Sequence, residues 1–402
     1  MKKILLCLLS LIIAFNAMSC SKQKEQIIED DSNDLLIEET FDFVVDKNPF
    51  GDFKILTLSD PQMLLTWWED RANYPEGRMT IQTIDTLVAE TDPDLILITG
   101  DFTADGYPSV FYDLGMYFDS FNIPWATVFG NHDHSYEIFP DMSMSLEDMK
   151  TTFSTAFENC LFKAGDPEMG CGNFTIGIRE GERFVEAIFM MDSHTTEMYT
   201  DENGNQFSAE ASINPAQQKW YREKVENMKI LGCFESIIVT HQPLIGHNLA
   251  MRDAIEDLDG YLSLLTPTST QNGVGWKDEY KDTSFGIFNI GCAADTYGHI
   301  HPDDGMHALI KELNHTKNAI CGHCHENNTN ILYDGVRYTH GLKTGGCAVS
   351  YWNYDFNQNG GTVIEIGSGG VVDLYHKYVP YPSYFHRHQC HSQTSAPFGK
   401  KQ

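Results

Sequence analysis

Five short stretches of this sequence end an apolar run with side chains of the types that bind divalent metal ions. Ser59-Asp60-Pro61-Gln62 follows Phe53-Lys54-Ile55-Leu56-Thr57-Leu58, and Gly100-Asp101 follows Leu95-Ile96-Leu97-Ile98-Thr99. Gly130-Asn131-His132-Asp133 follows Trp125-Ala126-Thr127-Val128-Phe129. His241 follows the run from Ser236 to Thr240, and Gly322-His323-Cys324-His325 follows Asn318-Ala319-Ile320-Cys321. Carboxylate and amide oxygens and imidazole nitrogens suit hard-to-borderline divalent cations. None of these stretches decides anything alone. A Gly-Asp pair is uninformative, and a lone histidine after a strand is more often structural than a ligand. His323 and His325 are a better pair, since alternate residues of an extended chain can chelate. The weight lies in the recurrence at the ends of apolar runs.

Those runs have to be held by a scaffold. Leu95 to Thr99 is apolar enough for a strand covered on both faces. Residues 78–91 read as a helix with Ile81, Ile84, Leu87 and Val88 on one side, and residues 108–120 as another. Phe184 to Met190 and Ser236 to Thr240 read as further strands. Asn214-Pro215-Ala216-Gln217 opens a helix with a capping residue, proline at the first helical position and glutamine at the third. Short strands follow near residues 330, 337, 363 and 372. This alternation with a strand-rich end predicts an α/β fold of two packed mixed β-sheets flanked by helices. In open α/β sheets, ligands bind beyond the carboxyl ends of the strands, so the donor stretches should converge on one cleft. Residues 242–300, with Gly273, Gly275 and Trp276, lack a clean period and read as an insertion near that cleft.

The chain has 402 residues, 42% of them hydrophobic, and a net charge of -30. A surface so acidic repels phosphate backbones, which argues against a nucleic-acid binder. Residues 1–20 carry Lys2 and Lys3 and then an apolar run to Ala17, the pattern of a signal peptide. Ala17-Met18-Ser19-Cys20 resembles a bacterial lipoprotein cleavage box with a lipid acceptor at Cys20, which predicts an extracytoplasmic, lipid-anchored protein. Residues 21–50 are acidic and read as a flexible tether, 51–378 as the folded domain, and 379–402 as a disordered tail whose His386, His388, Cys390 and His391 are idle. Ten cysteines fit an oxidising compartment, and Cys160 and Cys171 lie close enough in sequence to pair.

The ordered set D-x-Q, GD, GNHD, H and GHxH resembles the calcineurin-like metallophosphoesterase superfamily over roughly residues 53–376. Asn122-Ile123-Pro124-Trp125 and Gly341-Leu342-Lys343-Thr344-Gly345 make it similar to a purple-acid-phosphatase-like branch. The resemblance implies a first metal on Asp60, Asp101 and His325, with Gln62 where relatives often have His. It implies a second metal on Asn131, His241 and His323, with Asp101 bridging. His132 would face the substrate phosphate and protonate the leaving group. The implied reaction is hydrolysis of phosphate monoesters by metal-activated hydroxide, with two divalent ions of manganese, iron or zinc and a small phosphorylated substrate. Ala104 stands where purple acid phosphatases carry an iron-binding tyrosine, so a ferric-tyrosinate centre is not expected. Asp105 or Asp133 is then the candidate to orient His132.

Competing readings remain. The same ligands serve a phosphodiesterase or nucleotide pyrophosphatase. A non-catalytic metal- or phosphate-binding lipoprotein is a third possibility, but it has no need of His132. Cys321-Gly322-His323-Cys324 is formally a redox C-x-x-C, though His325 completes the metal pattern. Trp67 and Trp68 read as a packed surface pair rather than a stacking platform.

Overall fold

The computed structural model describes residues 33–134, 141–200, 203–211, 213–254, 277–280, 283, 303–325, 327–346 and 359–379. The predicted leader and its Cys20, the tail from residue 380, and most of the insertion read over 242–300 lie outside the described residues.

Two sheets carry the domain. The smaller runs β14 (Gly370–Tyr378), β13 (Gly360–Gly367), β2 (Phe53–Leu58), β3 (Leu95–Ile98), β4 (Trp125–Thr127). The larger runs β1 (Phe43–Asp46), β5 (Phe174–Glu180), β6 (Arg183–Met190), β9 (Ser236–Thr240), β10 (Thr316–Cys321), β12 (Val336–His340), β11 (Asn330–Tyr333). A separate hairpin pairs β7 (Thr196–Thr200) with β8 (Gln206–Glu210). Parallel and antiparallel pairs occur in both large sheets, for instance β2 with β3 parallel and β2 with β13 antiparallel.

Alternation along the strands explains why the sheets stack. Successive side chains point to opposite faces. On β6, Ile188 and Met190 join Ile237 and Val239 of β9 and Ile320 of β10 in a core shared with Ile55, Ile96 and Ile98 of the other sheet. The intervening Ala187, Phe189, Ile238 and Ala319 face the opposite way. There they meet helix α6 (Pro215–Ile230), which presents Tyr221, Val225 and Met228 at helical spacing, and α8 (Met306–Leu313). Helices α3 (Pro75–Thr91) and α4 (Pro108–Asp119) contribute Ile84, Leu87, Val110, Phe111 and Leu114 to the first core. The result is the expected sandwich. The box read at Asn214 is present: its side chain accepts from the Gln217 amide, and the Gln217 side chain accepts from the Asn214 amide.

Two expectations are corrected. Part of the tether read over 21–50 belongs to the domain. Residues 33–40 form helix α1, and β1 pairs in parallel with β5, Val44 opposite Gly177. Phe41 is buried and stacks on Phe184 at 4.4 Å between ring centroids. Burying a phenylalanine is worth ~1.5–3 kcal/mol, and the local excess of acidic residues hid that contribution. Cys160 and Cys171 do not pair; both are thiols. Burial pushes Cys171 up to about 12, as expected of a small apolar filler.

Candidate active site

All five donor stretches leave the carboxyl ends of their strands on one side of the sandwich. Asp60 and Gln62 leave β2, Asp101 leaves β3, and Asn131 and His132 leave β4; His241 leaves β9, and His323 and His325 leave β10. Asp60, Gln62, Asp101 and His323 have positive φ, at 51°, 42°, 49° and 66°. Such backbone is uncommon for residues with a Cβ and persists where surrounding structure enforces it. The turns therefore aim the side chains rather than relax the chain.

Asp101 is the hub. Its Oδ1 lies 3.3 Å from His241 Nε2 and accepts from the His132 amide at 2.9 Å. Its Oδ2 accepts from Gln62 Nε2 at 2.7 Å. His241 Nε2 is 2.9 Å from Asn131 Oδ1 and 3.2 Å from His323 Nδ1. His241 Nδ1 faces the Thr99 carbonyl at 2.9 Å, which leaves Nε2 directed at the cluster. His325 Nε2 is 3.4 Å from Asp60 Oδ1, and the His323 amide donates to both Asp60 oxygens at 3.1 Å. A Cβ at position 130 would collide with Asp101 Oδ1 and stand 2.7 Å from His241 Cε1, so the Gly130 turn has room for glycine only.

Burial and charge fit a cation site. Asp60, Asp101 and His241 are buried, and their ligand atoms lie within 4.8 Å of one another. Burial pushes the Asp60 carboxyl up, but His325, His241 and Lys343 outweigh it and hold the group well below the usual range. Asp101 behaves alike: burial raises it, and His241 and His132 pull it below its ordinary value. Burial lowers His241, so its imidazole stays neutral with a lone pair to give. Buried carboxylates beside the His241 imidazole suit divalent ions.

Three placements differ from expectation or were missed. Gln62 reaches the cluster, but its amide nitrogen faces Asp101 and its Oε1 accepts from Lys343 Nζ at 3.0 Å. The His132 ring is held by a main-chain oxygen, Nδ1 lying 3.0 Å from the Ala104 carbonyl, and Asp105, one of the two carboxylates the sequence offered, is close enough to feel its charge. Asp133 instead accepts from the amides of Phe102, Thr103 and Gly130, tying two donor turns together. Burial and the Asp101 carboxylate push Asp133 up to about 8, against the pull of those donors. Glu210, at the end of the β7–β8 hairpin, has Oε1 2.9 Å from His323 Nε2, and no local sequence signal marked it. Trp67 is core, whereas Trp68 lies under Arg71 with its indole bonded to Asp113. Cys321 and Cys324 are buried thiols beside the ligand turn, not a disulfide.

The family model described as calcineurin-like phosphoesterase matches residues 53–327, most of the chain and every donor stretch. The chain belongs to the calcineurin-like phosphoesterase family. It is a hydrolase of phosphoric esters, and its chemistry is metal-dependent. Among solved structures, this phosphoesterase is similar to a dimetal phosphatase from Danio rerio, at 8% identity and TM-score 0.44, over 83% of this chain and 100% of that one. A second solved structure matches at 11% identity and TM-score 0.38, over 81% and 99%. A search of curated proteins finds no match.

Proposed function

We propose that the phosphoesterase hydrolyses phosphate monoesters with two divalent ions, one on Asp60, Asp101 and His325 and the other on Asn131, His241 and His323. The observation that carries this reading is Asp101. One of its oxygens is 3.3 Å from His241 Nε2, on the side of Asn131 and His323, and the other is turned toward Gln62. A buried carboxylate with ligand atoms of both Asp60 and His241 within 4.8 Å is suited to bridge two cations, whose mutual repulsion needs a shared anion. When bound, the ions supply a water of lowered pKa and a positive field for the phosphoryl oxygens.

The protein's own part is orientation and proton handling. Ala104 fixes His132 through Nδ1, so the proton the reaction requires is held or released at Nε2. Asp133 keeps the turns of Asp101 and Asn131 in register, so the donors need not reorganise as charge develops. Manganese, iron and zinc all suit this donor set. The absence of a tyrosine at Ala104 keeps the site apart from purple acid phosphatases proper, although the Gly341–Gly345 stretch supports kinship with a branch similar to them.

The test is hydrolysis of a chromogenic monoester and its diester by metal-stripped protein reloaded with manganese, zinc or iron. The proposal expects monoester turnover that follows metal content and disappears with chelator. Faster diester hydrolysis under every metal would favour the phosphodiesterase reading. The leader pattern supports an extracytoplasmic, lipid-anchored enzyme, which Cys20→Ala tests by releasing it from the membrane fraction.

A further inference from the structure

Lys343 is a buried lysine with 4% exposure, set among the donors of the first metal. Its Nζ donates to Gln62 Oε1 at 3.0 Å and to the Asp60 carbonyl at 3.2 Å. Its segment is stitched alongside the Asp60 turn: the Thr344 amide donates to the Ser59 carbonyl at 2.7 Å, and the Gly345 amide to the Asp60 carbonyl at 3.2 Å. The Gln62 amide, held at its oxygen by Lys343, gives its Nε2 proton to Asp101 Oδ2. An amide nitrogen is a donor only and cannot ligate a cation. Gln62 thus occupies the side of Asp101 that a first metal would use, and a fixed ammonium stands behind it. On the other side of Asp101, His241 and His323 face each other.

We propose that Lys343 makes the two cation sites unequal, weakening the site on Asp60, Asp101 and His325 so that one ion is held firmly and the other exchanges. The physical reason is Coulombic. An ammonium within a few ångströms repels a divalent ion, and screening by solvent is weak where both are buried. The same charge offsets the Asp60 carboxylate when the first site is empty, which helps keep the donors assembled between turnovers.

This inference rests on the dinuclear reading above, and its test separates the two. Manganese is titrated calorimetrically into the metal-stripped full chain, with no substrate present. The wild type should show a tight step and a second step at least tenfold weaker. Lys343→Met should tighten the weak step about tenfold or more and move the tight step little. Lys343→Arg, which keeps the charge, should preserve the gap. Should Lys343→Met fold poorly, Lys343→Gln reads the same charge removal with a polar group left to meet Gln62. Two equal steps in the wild type, or a gap unaltered when the charge is removed, overturns this inference and leaves the dinuclear reading intact. A wild type that takes up no manganese and hydrolyses nothing overturns that reading first.

Discussion

His132 and Ala104 are joined ring to backbone: the imidazole Nδ1 lies 3.0 Å from the Ala104 carbonyl oxygen. That bond spans the turns after β3 and β4, so the scaffold takes part in setting the ring's angle. His132→Ala should lower kcat by ~10²–10⁴-fold, the range for a lost general acid, with bound metal unchanged. Single-turnover kinetics together with metal analysis checks this. A loss below tenfold in a metal-replete sample counts against His132 as the proton donor.

Glu210 should act on metal retention through His323. A carboxylate that accepts from the far nitrogen of a ligating imidazole fixes its tautomer, and losing such a partner weakens metal binding by ~10–100-fold. Glu210 Oε1 stands 2.9 Å from His323 Nε2. Glu210→Ala should lower metal affinity by that factor, and Glu210→Gln, which retains an acceptor oxygen, by less. Equilibrium dialysis of both variants is the check, and equal losses would remove the acceptor argument.

Acid should destabilise the fold through buried neutral histidines away from the proton chemistry. Burial lowers His315 and His376 to about 4 each, from an ordinary value of 6.5. A depressed folded-state value means stability present above 6.5 that declines as pH falls toward 4. Each such group accounts for roughly 3 kcal/mol across that window, since a pKa unit is worth about 1.36 kcal/mol. His315 is held by Ser236 Oγ at 2.8 Å and the Cys233 carbonyl at 3.1 Å. Urea unfolding of His315→Gln should give a flatter pH profile between those limits than wild type, whatever its stability at neutral pH.

Glu186 should do the opposite. It lies fully buried on β6, and burial, with Glu235 nearby, raises its carboxyl well above 4.5. A raised folded-state value means stability complete below 4.5 and progressively lost as pH rises through the folded value. Glu186→Gln removes the ionisation, so the variant should gain on wild type as pH rises from 4.5 to neutrality. Thermal melts at both ends of that range test the sign. An advantage that grows toward acid would show that Glu186 is ionised in the fold.

The sequence by itself marked the candidate donors. Apolar runs that end in Asp, Asn or His are local patterns, and so is the alternation that builds β6, β9 and β10. The capping box at Asn214 and Gln217 is local too, which is why α6 was legible with its start. Tertiary structure decided which atoms of those donors meet. Gln62 reads as a ligand beside Asp60, yet its amide is turned by Lys343, 281 positions away. Glu210 sits on a hairpin with no chemical signature, and only docking onto His323 gives it a role. β1 looked like tether because Phe41 and Val44 are outnumbered by acidic neighbours. Side-chain spacing along the chain encodes the type of each element, because that spacing follows the helix and strand repeats. Contacts between residues hundreds of positions apart depend on how sheets register, and no window of sequence contains that information.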